Sequence, residues 1–111
     1  MILNYGPKTI FLILIALAVV LEVTGDIYFK KYSIENKNVL LFIGLIVYFL
    51  GSIFWAISLK YELLSKSITL FTILNLIIVL AVGVLIFNEQ ISDINKIGIV
   101  LGIISVALME I

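Results

Sequence analysis

A chain of 111 residues that is 64% hydrophobic, with a mean hydropathy of +1.34, holds more apolar surface than a soluble core of its size can bury. Lipid must therefore act as part of its solvent. Seven lysines balance seven acids and arginine is absent, so nothing resembles a basic patch for nucleic acid. With no cysteine and no histidine, disulfides and thiolate or imidazole metal sites are excluded, and proton chemistry near neutral pH falls to carboxylates.

A membrane crossing takes about 20 apolar residues, or about 30 Å at helical rise. The first predicted span covers about 9–29 and follows Gly6-Pro7, a suitable helix start. Its lone lysine, apolar stretch and Val23-Thr24-Gly25 tripeptide give it some likeness to a secretory signal, but a retained helix is expected. "KKYSIENKN" (30–38) reads as a polar turn before a second span at about 39–59. "KYELLSK" (60–66) links to a third span at about 67–87. "NEQISDINK" (88–96) leads into the last, at about 94–111, which is too short unless it starts near Asp93. The expectation is an all-α integral membrane protein, a dimeric bundle of four transmembrane helices forming one domain over 1–111. The lipid bilayer is its first partner.

Lysines near span ends normally select the cytoplasmic side. Here Lys8, Lys60 and Lys66 fall on one side, and Lys30, Lys31, Lys37 and Lys96 on the other. Three against four is almost no bias. A weakly specified protein with a cytoplasmic helper explains it, and so does dual topology, with copies inserted both ways and pairing antiparallel.

An acid in mid-helix costs about 2.5–3.5 kcal/mol on insertion scales, so such residues line interiors or aqueous cavities. Glu22 lies two thirds of the way along the first span, with Asp26 one turn on and Lys30 one turn beyond. The three form a drifting stripe flanked by Ala18 and Gly25. No other span has a basic residue in its interior, so Glu22 reads as functional. Asp26 is either part of the same site or paired with Lys30 near the interface. In the second span Tyr48, Ser52 and Trp55 share a face; Trp55 also suits an interfacial anchor. The third span offers Phe71, Thr72 and Asn75, the last also a candidate for interhelical contact. Gly98 and Gly102 form a small-xxx-small pair, a candidate dimer contact. No nucleophile–base pair, metal cluster or phosphate loop is evident, so neither enzymatic activity nor a cofactor is expected.

"ALAVVLEVTGDIYFKKYS" resembles the first helix of the small multidrug resistance transporters, in which a glutamate is followed by glycine three residues later and lysine eight later; Glu22, Gly25 and Lys30 fit. Tyr48 and "FNEQISDINKIGIVLG" are similar to the wider drug/metabolite transporter superfamily. The resemblance spans the chain. It implies four helices, a dimer that is often antiparallel, residence in the cell (inner) membrane, and a first-helix glutamate that binds protons and substrate competitively, here Glu22. This chain departs by having Ile68 and Phe71 in place of a tyrosine and a tryptophan, Ile73 and Asn75 in place of a glycine-rich kink, and the additional Asp26. Leu74-Asn75 and Asn88-Glu89 are closer to the lipid-linked aminoarabinose flippase subunits, which lack that glutamate. The functional expectation is a proton-coupled antiporter exporting small organic cations or amphiphiles. Movement of a polar or sugar-modified lipid, or a non-transporting assembly role, are the alternatives.

Overall fold

A computed structural model of the chain describes residues 6–110. Among the described residues there are four helices and no strand: α1 (Pro7–Glu35), α2 (Asn38–Ser58), α3 (Leu64–Leu85) and α4 (Asp93–Glu110). The first three are long and apolar enough to cross a membrane. The fourth, at 18 residues, is about 27 Å long by helical rise. It opens with the charged pair Asp93 and Lys96, 3.7 Å apart and exposed.

Helix α1 starts with Pro7 at a position where its missing N–H costs nothing. It does not stop at the polar turn expected over 30–38. It continues through Lys30 and Lys31 to Glu35, and the connection to α2 is only Asn36 and Lys37. Lysine is a good helix former whose long stem reaches back over apolar surface, so polarity alone does not end a helix. What ends it is Asn36, in the left-handed region at φ 58°, whose N–H donates to the Tyr32 carbonyl at 2.7 Å. Asparagine is one of the few side chains that tolerate this conformation.

Helix α2 closes through tight backbone bonds, Lys60 N–H to Ile57 at 3.1 Å and Tyr61 N–H to Ser58 at 3.0 Å. Helix α3 then begins at Leu64, three residues earlier than the expected 67. Its end is marked by Asn88, again left-handed at φ 56°, with the Glu89 N–H donating to the Gly83 carbonyl at 3.0 Å. Ser92 caps α4, its hydroxyl accepting from the Asn95 N–H at 3.2 Å. Helix α4 starts at Asp93, but with Asp93, Lys96 and Glu110 within its 18 residues it is not among the helices long and apolar enough to cross a membrane. The expected fourth span is thus matched by a helix only.

The chain divides into two compact units, Met1–Leu64 and Ser65–Ile111. In the first, α1 and α2 form an antiparallel hairpin. Among the buried residues of α1, Phe11, Ile15, Ala18, Glu22 and Gly25 are spaced by four and three, with Val19 and Val23 widening the stripe, while buried Gly44, Gly51 and Ser58 on α2 are spaced by seven. Both are heptad patterns, the geometry of a left-handed seam. The contact is close: a Cβ on Gly44 would lie 2.7 Å from the Phe29 ring and 3.2 Å from the Gly25 carbonyl oxygen. Against lipid tails as apolar as leucine, a seam of this kind gains from van der Waals packing, and Gly25, Gly44 and Gly51 bring the two helices close.

In the second unit α3 and α4 meet where Gly102 faces Ile73; a Cβ at 102 would come within 2.6 Å of the Ile73 Cδ1. A cleft of about 350 Å³ lies between these helices, lined by Ile68, Thr72, Ile73, Gly102 and Ser105 among others.

Candidate functional site

Glu22 occupies a core position of the α1–α2 seam and is only 5% exposed. A leucine or alanine would be the ordinary residue there, and a carboxylate costs desolvation. Room for it comes from the opposite helix. The Glu22 Cγ lies against Gly51, close enough that a Cβ on that glycine would be 2.8 Å away.

Three further groups from the same hairpin surround the acid. Ser52, adjacent to Gly51, lies beside the Glu22 carboxylate, and its hydroxyl donates to the Tyr48 carbonyl at 3.1 Å. Asp26, half-buried, is close enough for its charge to act on Glu22. Tyr48, on the facing helix, lies near both carboxylates. The tyrosine ring is seated on Gly25, where an added Cβ would lie 3.1 Å from its Cδ2. It also packs against Phe29, with ring centroids 5.9 Å apart and planes tilted by 38°.

Of the residues singled out in the sequence, Glu22, Asp26, Tyr48 and Ser52 thus form one cluster. Trp55 is half-buried on the same helix, and its carbonyl accepts the Ser58 hydroxyl at 2.6 Å. Phe71 and Asn75 belong to the second unit, where Asn75 Oδ1 is buried with no hydrogen-bond partner among the described residues. Ser67 Oγ on the same helix is in the same condition and the residue is fully buried. Gly102 packs on Ile73, while an added Cβ at Gly98 would meet open space.

Sequence reasoning missed Gly44, Gly51, Phe29 and Ser67. The seven-residue spacing of Gly44, Gly51 and Ser58, set against the four-and-three spacing of Ala18, Glu22 and Gly25, was the available signal for the two glycines.

Chemically the cluster is rich in acceptors. Two carboxylates accept only, and the two hydroxyls can donate or accept. Such a set suits protons, or an organic cation with N–H donors. Among the described residues no group of three or more potential metal ligands gathers. No protein-family model matches the chain, and no solved structure does.

Proposed function

We propose that this protein is a proton-coupled antiporter that exports small organic cations or amphiphiles, with Glu22 as the shared site for proton and substrate. The observation that carries the reading is the placement of Glu22: an acid at a core position of an apolar hairpin, bordered by Asp26, Tyr48 and Ser52. In a chain without histidine, reversible protonation near neutral pH falls to carboxylates, and among the described residues Glu22 is the buried one. The resemblance of the first helix to the small multidrug resistance transporters supports the same assignment.

In this reading two copies pair antiparallel and bring their Glu22 side chains towards a common chamber. Two unit charges about 8 Å apart repel by roughly 2 kcal/mol at an effective dielectric near 20. The two carboxylates then titrate as one coupled system and hold either protons or a cation. Competition for one site, combined with two exchanging conformations, yields antiport.

The test is transport by purified protein in liposomes under an imposed pH gradient, with a panel of mono- and dicationic compounds. Gradient-driven uptake is expected for some of them, and Glu22→Gln should abolish it while leaving helical content and oligomeric state unchanged. Undiminished gradient-driven uptake by Glu22→Gln would overturn the assignment.

A further inference from the structure

We infer that Gly51 is a positioning residue for Glu22, its missing side chain forming the slot in which the acid's stem lies. The inference rests on the proposed role of Glu22. Gly51 is buried opposite Glu22, and a Cβ built on it would sit 2.8 Å from the Glu22 Cγ, 3.1 Å from the Leu21 Cβ and 3.2 Å from the Ala18 carbonyl oxygen. The last two are parts of α1 that cannot swing aside, whereas the Glu22 stem can. An alanine at 51 therefore acts first on the carboxylate, moving it relative to Ser52 and Asp26.

The same seam provides a control. Gly44 is as tightly enclosed, with the Phe29 ring 2.7 Å from an added Cβ, but its nearest neighbour is a hydrocarbon ring. Gly44→Ala perturbs helix packing to a similar degree and reaches the acids only indirectly, through Phe29 and the Tyr48 ring on which it packs.

Two measurements distinguish positioning from packing. The first is a thermal-stability cycle in detergent with Gly51→Ala, Glu22→Ala and the double variant, which needs no transport activity. Glu22→Ala removes the Cγ, so Gly51→Ala should cost much less Tm in that background than in the wild type. The second is the pH titration of the Glu22 carboxyl band in the infrared, identified by its loss in Glu22→Gln. Its midpoint should move by about one unit in Gly51→Ala and by clearly less in Gly44→Ala. An equal Tm loss in both backgrounds, or equal infrared titrations for the two alanine variants, would reduce Gly51 to a packing residue and overturn the inference. If Gly51→Ala alone does not fold, recovery of folded protein in the double variant supports the slot, and failure of both overturns it. A positive cycle together with wild-type liposomes that transport nothing would instead strike the antiporter reading and leave Gly51 as the seat of a buried acid.

Discussion

Asp26 stands one helical turn from Glu22, so the two carboxylates are about 5–6 Å apart at their Cβ atoms. Glu22 is buried and Asp26 half-buried. On the proposed function, a ligand with one cationic centre would be held by the deeper acid, while one with two cationic groups, or several donors, would engage both. Asp26→Asn removes a charge but keeps an acceptor. It is expected to weaken binding of dications about tenfold while changing monocation affinity little, in line with a charge-assisted hydrogen bond. Competition binding with matched mono- and dicationic ligands checks this, and equal losses for both would count against it. Glu22 and Asp26 were legible in the sequence because an acid in an apolar run is conspicuous. Gly51 was not, because an added glycine in an apolar span looks ordinary until its partner across the seam is known.

At the scale of elements, hydropathy located the three long spans because each is a run of apolar residues bounded by charge. It missed the last six residues of α1, since helix continuation depends on backbone hydrogen bonds and Lys30 and Lys31 satisfy those as readily as apolar residues do. The stop signal lay in one residue, Asn36, with its positive φ of 58°. Asn36→Ala should destabilise the hairpin by about 1–2 kcal/mol, and Asn36→Gly should cost a few tenths at most. Thermal unfolding of the two variants in detergent gives the comparison. The pairing of α1 with α2 was likewise written in the sequence as two heptad patterns, but such patterns announce a seam only when both helices are laid side by side.

For the molecule as a whole, orientation follows from lysine placement. Three lysines on one side and four on the other leave insertion almost undecided, and the longer α1 keeps Lys30 and Lys31 at the same end of the hairpin as Lys37. Both orientations are therefore expected in the membrane. Single cysteines introduced at positions 4 and 37, in a chain that has none of its own, should both be labelled from outside in intact cells. Two lysines added near the N-terminus should fix one orientation and lower the activity of that variant expressed alone. Co-expression with an oppositely biased variant should restore it. Labelling from one side only in the wild type would point to a single orientation.

Trp55 is the sole tryptophan of the chain and follows Ser52 by three residues on α2. The protein therefore has a built-in optical probe one helical turn from its acidic cluster. Its ultraviolet emission reports the polarity around that turn without any dye or engineered residue. Addition of a cationic ligand should shift or quench the emission in the wild type, and the same titration of Glu22→Gln should leave the spectrum flat.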